Sequence, residues 1–364
     1  MEAALKTPLY ECHIAAGGSP VPFAGYLMVI QYPAGIIAEH KLVREKAGMF
    51  DVSHMGEVTL TGKDALANIQ KLVTNDCSGM ELGQIRYSPM CNHTGGIVDD
   101  LMVHRLGEDR YLLVINASNR HKDVAWIKDE LFGEVEFADL SDETAEIALQ
   151  GPCAPAILQK LTAEACIPKK YYYCVEHATV GGIACMISRT GYTGELGYEL
   201  YCANADAVKL WNLLLEAGEE FGLLPCGLGC RDTLRLEAAM PLYGHEMNDE
   251  ISPIETGLGR YVCLAKPDFN GKQALLDRGE PTRTRVGLKI TGRGIAREGY
   301  TVQKDGRDVG FIMSGSFCPT LNGAYGTAFV DVAEASVGNS LQVEIRNKPV
   351  DAEVVPLPFY KRSK

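Results

Sequence analysis

No apolar run in the chain approaches the ~20 residues that a membrane-spanning helix requires. The opening residues, MEAALKTPLYECH, have neither the apolar core of a signal peptide nor the Arg-rich, acid-free character of a transit peptide, so the expectation is a cytosolic protein. A block of clustered Lys and Arg is also missing. The 35 basic residues are set against 47 acidic ones, a net charge of −12. That balance excludes nucleic acid as the main partner, because phosphate binding needs concentrated positive charge. It leaves room for an anionic small ligand where a few basic side chains converge. Paired cysteines are scarce despite a total of 12. They are scattered singly from Cys12 to Cys318, and the one close pair, Cys226 and Cys230 in PCGLGC, has no second pair or neighbouring His to complete a zinc site. Buried reduced thiols and no bound metal are expected. Neither a low-complexity tract nor a short-period repeat is present.

What the chain does contain is enough for several cores. Its 364 residues exceed one domain of roughly 100–200, so two or three are expected. The first three-quarters mix helical and strand patterns. GIIAEHKLVREKAG, from Gly35 to Gly48, has apolar residues at helical spacing and a closing glycine, and Asp64 to Val73 and Asn119 to Phe132 repeat the type. Between them lie the β-rich runs EVTL, IVDDLMVHRL, RYLLVINA and AEIALQG. Then CMISRTGYTGELGYELYC reads as strand, turn and strand, with a helix from Ala205 to Ala217. From about Thr284 the pattern becomes short strands only. Asp305-Gly306 between two of them marks a tight hairpin, since a primed turn needs positive φ at both central residues. A small antiparallel barrel is expected to close the chain, after a linker of Asp277 to Thr284.

Three clusters carry chemistry. In GGIVDDLMV the strand alternates, so Asp99 and Asp100 face opposite sides. One can be a solvated surface residue, while an inward carboxylate needs either a structural partner or a ligand. In RTGYTGELGYE, Arg189 to Glu199, the glycines make a tight hairpin that returns with Glu199; it is either a routine turn or a flat-ligand platform. A phosphate loop fits poorly, because the Lys-Ser/Thr ending and the following helix are missing. In CGLGCRDTLRLEA a helix is expected from about Arg231, with Asp232 in its first turn and able to pair with Arg235. Arg231 has no such neighbour at helical spacing. A cation at the positive end of a helix calls for an outside anion, which makes Arg231 the better ligand candidate. His13, His40, His54 and His245 are read as structural. Together an acid, a Glu on a hairpin and an Arg fit a ligand with hydrogen-bond donors and a carboxylate, as a pterin-bearing compound has.

The blocks FDVSHMGEV, CNHTGGIVDDL, RTGYTGELGYE, GLGCRDTLRLEA, LYGHEM and SGSFCPTL, in this order and over nearly the whole chain, resemble the aminomethyltransferase (T-protein) family of the glycine cleavage system. The resemblance implies an α+β fold of three lobes: two interleaved folate-binding lobes, residues 1–50 with 140–276 and residues 51–139, and a C-terminal antiparallel β-barrel, residues 284–364. It implies transfer of a one-carbon unit from the aminomethyl-lipoyl arm of H-protein to tetrahydrofolate, releasing ammonia, by a monomer. By position Asp100 matches the family's key carboxylate. Glu199 and Arg231 match folate-binding residues, Tyr87, Asn116, Tyr172 and Tyr192 match positions lining the pocket, and Arg362 is matched to the folate tail. Met240 departs from an aromatic found in some relatives. A folate-binding iron–sulfur assembly factor is the alternative, but its Lys-Gly-Cys signature is not found. A folate domain from a flavin-linked dehydrogenase would be preceded by a dinucleotide fingerprint, also not found.

Overall fold

In the computed structural model, residues 4–362 are described. The chain divides into two compact units, each assembled from separated segments. The first takes residues up to Gln70, Cys77–Tyr87 and Leu101–Arg231; the second takes Lys71–Asp76, Ser88–Asp100 and the chain from Asp232 on.

The first unit is built on a six-stranded sheet. Its spatial order is Cys174–Val180, Ile183–Ser188, Gly197–Ala203, Thr144–Gln150, Gly48–Asp51 and Leu224–Pro225. All neighbours are antiparallel except the last pair, where Leu224 runs parallel beside Gly48. The helix Ala207–Gly218 lays Leu210, Trp211, Leu214 and Ala217 on this sheet at spacings of one, four and seven, one stripe of a 3.6-residue period. They meet Ile147, Leu149, Ile187 and Leu200 from the strands and Ile157 and Leu158 from the helix Ala154–Gln159. Each such fully buried apolar side chain is worth about 1.5–3 kcal/mol, which is why the helix docks on this face. A five-stranded sheet follows the order Ile85–Cys91, Ile97–Arg105, Arg110–Ile115, Gly56–Thr61 and Glu136–Asp139. In its first two strands the chain crosses between the units, after Tyr87 and after Asp100.

The second unit holds the expected barrel. Arg283–Ile290, Gly323–Asp331, Arg307–Cys318, Thr301–Lys304, Ser340–Ile345 and Lys348–Val355 close on themselves in that order. Its interior is Val286, Leu288, Val302, Ile312, Ala328, Val343 and Val354, the alternate residues of each strand. The Asp305-Gly306 turn has φ of 51° and 77°, as a primed turn needs. The linker is shorter than the composition implied: a helix, Lys272–Arg278, takes its first two residues and the barrel strand starts at Arg283. A buried ion network also belongs to this unit. Arg235 bonds Glu246 at 3.0 Å, Asp232 at 2.9 Å and Ser314 at 2.8 Å, while Thr327 donates to the other oxygen of Glu246 at 2.5 Å.

One local expectation changes. The helix expected from Arg231 begins at Leu228, so Asp232 is not in its first turn, although it does pair with Arg235. The apolar Leu228 and small Gly229 form the entry. Of the two alternatives open to Asp99, structural or solvated, the fold takes the structural one: it is wholly buried, on the side of its strand shared by Leu101 and Val103. Among the described residues no helix is long and apolar enough to cross a membrane.

Candidate active site

In the first unit the sequence blocks meet at the hairpin between Ile183–Ser188 and Gly197–Ala203. Two of its glycines are there for space: a Cβ on Gly191 or Gly197 would collide with the side chain of Gln150. Gln150 occupies that room, donating to the carbonyls of Thr190 at 3.2 Å and Tyr198 at 3.3 Å and accepting from the Thr193 hydroxyl at 2.9 Å. The hairpin is clamped from the helix Ile36–Glu45 by Arg44, which donates to the Thr193 carbonyl at 2.6 Å and pairs with buried Glu195 at 3.0 Å. Glycine, glutamine and arginine thus hold Tyr192 and Glu199 in place.

Glu199 is half-buried and accepts a hydrogen bond from the Thr190 hydroxyl. Burial pushes its carboxyl above the usual range, while the Thr190 hydroxyl and the charge of Arg231 act in the opposite sense. Arg231 stacks on the ring of Tyr192, 4.8 Å from guanidinium carbon to ring centroid. Glu199, Arg231 and Tyr192 are therefore brought together. Arg231 also lines a small space of about 10 Å³ with His13, Tyr32, Asp51 and Cys226. There His13 bridges Asp51 at 2.8 Å and the Tyr32 hydroxyl at 2.9 Å, and Thr7 donates to Asp51 at 2.6 Å. Burial alone would raise the Asp51 carboxyl; bonds from His13, Thr7 and Ser53 bring it below its ordinary value. His54 is buried and pushed down to about 4, chiefly by burial, with Arg231 adding to the effect.

Tyr87 and Tyr172 form a second group. The Ile85 N–H donates to the Tyr172 carbonyl at 2.7 Å, and Tyr87 follows two residues along that strand with its hydroxyl oxygen buried. Tyr172 is 41% exposed and has φ of 58°, a left-handed conformation that is costly for a bulky side chain. Hydrogen bonds fix it from both sides, since its own N–H donates to the Arg189 carbonyl at 3.1 Å. Asn116 caps a short 3₁₀ turn, Ala117–Asn119, at the end of Arg110–Ile115. In the second unit Asp100 is half-buried on the side of its strand shared by Met102, and Arg362 and Met240 are half-buried too.

Sequence reasoning missed a set of acids behind Glu199. Glu57 and Glu146 lie at 1% and 2% exposure, both with carboxyls pushed well above the usual range, first of all by burial. Tyr201 stands in register with Glu146 and bonds its side chain. The signal in the sequence was weak: each Glu sits inside an apolar strand, but the face it takes is set by pairing with distant segments. For a metal, the arrangement that comes nearest among the described residues is Glu39 with Cys226 and Cys230, ligand atoms within 4.8 Å of one another. Glu39 is already occupied by the N–H groups of Tyr32 at 2.6 Å and Gly227 at 2.9 Å. All twelve cysteines are free thiols.

Comparison with known proteins gives concordant results. Residues 9–266 match the family described as GCVT N-terminal domain, and residues 283–361 the glycine cleavage T-protein C-terminal barrel domain. The chain is 50% identical over 364 residues to an aminomethyltransferase of Desulforamulus reducens, covering 100% of both chains. It is 51% identical over 362 residues to the aminomethyltransferase of Moorella thermoacetica, covering 99% of this chain and 98% of the other. The crystal structure of glycine cleavage system aminomethyltransferase T from Bartonella henselae superposes with a TM-score of 0.91 at 34% identity, covering 99% of each chain.

Proposed function

The chain belongs to the glycine cleavage T-protein family and is an aminomethyltransferase of that system; from this premise we propose how its residues divide the work. The acceptor is tetrahydrofolate. Its pterin edge presents paired N–H donors to Glu199, and Arg231, stacked on Tyr192, supplies the cation of the pocket. Tyr87, Asn116 and Tyr172 line the remainder, and Arg362 takes the carboxylate tail. The observation that carries this reading is the convergence of Glu199, Arg231 and Tyr192 on a hairpin held rigid by Gln150 and Arg44.

The donor is the aminomethyl group on the lipoyl arm of H-protein. Two folate nitrogens form bonds to the carbon while its C–N and C–S bonds break. The two N–H protons lost by the folate end on ammonia and on the lipoyl sulfur, so the products are methylene-tetrahydrofolate, ammonia and dihydrolipoyl H-protein. Asp100 is the carboxylate that holds or accepts the proton of the attacking nitrogen. The three-lobe division, residues 1–50 with 140–276, 51–139 and 284–364, is retained as part of this proposal, as are a monomeric state, a cytosolic setting and catalysis without a metal. Ammonia release from aminomethyl-loaded H-protein, measured with and without tetrahydrofolate, is the test. Release that does not respond to tetrahydrofolate would refute the reading.

A further inference from the structure

Folate recognition as described uses one acid of a larger group. Glu57 and Glu199 act electrostatically on Glu146, and all three act on Tyr201. Arg231 is the guanidinium that acts on both Glu146 and Glu199. Glu146 stands opposite Tyr201 in the strand pair, while Glu199 stands opposite Ala148. Two residues apart on one strand share a face, so Glu146 and Glu199 are diagonal neighbours, about 7–8 Å apart in such a pair. The backbone of Glu146 is pinned as well. Its N–H donates to Ser53 Oγ at 3.1 Å, and its carbonyl accepts from Ser53 Oγ at 3.2 Å and from the Val52 N–H at 3.0 Å.

One oxygen of Glu146 bonds Tyr201; among the described residues the other, Oε2, has no hydrogen-bond partner, and neither has either oxygen of buried Glu57. An ionised carboxylate with an unsatisfied oxygen at that depth is far costlier than a neutral acid. Arg231 cannot balance both Glu146 and Glu199, and Arg120, the guanidinium near Glu57, is already engaged by Asp139 and Asp142, so protons must reside in the cluster, and the deepest acids keep them most readily.

We propose that Glu146 is a positioning residue of the folate site, a carboxylic acid held neutral behind Glu199 that fixes Tyr201 and leaves Glu199 ionised for the ligand's N–H donors. This rests on the folate-binding role given to Glu199 above. The groups that face Glu146 are Glu57 from Gly56–Thr61, Glu199 and Tyr201 from Gly197–Ala203, and Arg231 from the helix Leu228–Glu237. Arg120 and Asp139 act on Glu57 in turn. Burial, then Glu199 and Glu57, raise the Glu146 carboxyl, against Arg231 and the Tyr201 bond.

Infrared spectroscopy of the full-length, ligand-free protein near neutral pH tests the protonation directly. The wild type is expected to show the carbonyl stretch of buried carboxylic acids, one component of which is lost in Glu146→Gln while that of Glu57 stays. In Tyr201→Phe, a milder variant that leaves the backbone intact, the Glu146 component should move to higher frequency as its hydrogen bond is removed. Loss of a carboxylate band in Glu146→Gln, with the acid band unchanged, overturns the proposal. Calorimetric titration with tetrahydrofolate tests the positioning. Glu146→Ala should weaken binding roughly 10-fold, the loss of about one hydrogen bond, and neutral Gln should restore most of it. Ala and Gln variants that both bind as the wild type does would overturn the positioning role even with the acid band assigned. A wild type that binds no tetrahydrofolate overturns the folate reading itself, and the infrared arm still decides whether Glu146 is a neutral acid.

Discussion

Replacing Glu199 with Gln preserves shape while removing charge, and its consequences can be worked from the bonds around it. One carboxylate oxygen already receives the Thr190 hydroxyl, which an amide oxygen can also accept. The remaining lone pairs are the ones offered to the pterin donors. An amide oriented to satisfy Thr190 turns its NH₂ toward those donors, so one charge-assisted hydrogen bond is lost and a donor faces a donor. Bonds to charged groups are worth about 1.5–3 kcal/mol, so Kd for tetrahydrofolate should rise roughly 10- to 100-fold. Acidification should reveal the same group. The carboxyl lies above its ordinary value because of burial, so the protonated form gains ground as pH falls toward that raised value. Affinity should then decline with falling pH before the usual carboxylate range is reached, and this acid limb should be absent in Glu199→Gln. The fold responds with the opposite sign: a raised acid stabilises the native state at low pH, an advantage lost as pH rises through the folded-state value. Titration calorimetry over a pH series, with thermal unfolding as the folding control, measures both. Equal affinities and parallel pH profiles for the two proteins would refute the placement of Glu199 at the pterin edge.

Asp100→Asn should lower turnover by ~10²–10⁴ with less effect on folate affinity, the pattern of a general acid–base group. Normal turnover would remove it from the chemistry. Its buried neighbour Asp99 is expected to be a matter of stability, so Asp99→Asn should show itself first in thermal unfolding. Arg44→Ala should cost about 3–5 kcal/mol of stability, because it breaks the buried ion pair with Glu195 by removing one partner. Exposed Lys41, on the same helix, should tolerate Lys41→Glu within about 0.5 kcal/mol, and comparable unfolding midpoints for the two variants would refute the clamp. Elemental analysis should find no stoichiometric metal and thiol titration of unfolded protein should find twelve reactive cysteines. Zinc at one per chain would instead direct attention to Glu39, Cys226 and Cys230.

Local patterns made much of this molecule readable. The Asp305-Gly306 turn, the helices around Ile36–Glu45 and Ala207–Gly218, and the barrel strands all follow from spacing within a few residues. Glu199 and Arg231 stood out because one sits on a glycine-built hairpin and the other lacks a helical neighbour of opposite charge. Arg44 could not be read this way. Its partner Glu195 is 151 positions away, so nothing near it in sequence marks its charge as buried. Glu57 and Glu146 were hidden for a related reason. A lone acid in a strand does not say which face it takes, and the register that puts Glu146 opposite Tyr201 is fixed by pairing between distant segments. Asp99 shows the same limit, since alternation separates two neighbours without telling which side has water.

The segmented second unit has a consequence for synthesis. The turn at Asn92–Gly96 leaves the ribosome early, yet what it binds comes much later: Asn92 Nδ2 donates to the Asp249 carbonyl at 2.9 Å, and the Ile97 N–H donates to the Asn248 carbonyl at 3.0 Å. Gly96 lies so close to the Asp249 carbonyl that any Cβ would overlap it. Asn248 comes 151 positions after Ile97. At a translation rate of 5–20 residues per second, the early segment waits roughly 8–30 s for its counterpart. Throughout that interval its backbone donors have water as their partner, and Asp100 is held on a strand that is still incomplete. A chain released or paused before Asn248 therefore carries Asp100, the carboxylate proposed for the chemistry, without the later segment that completes the turn before its strand.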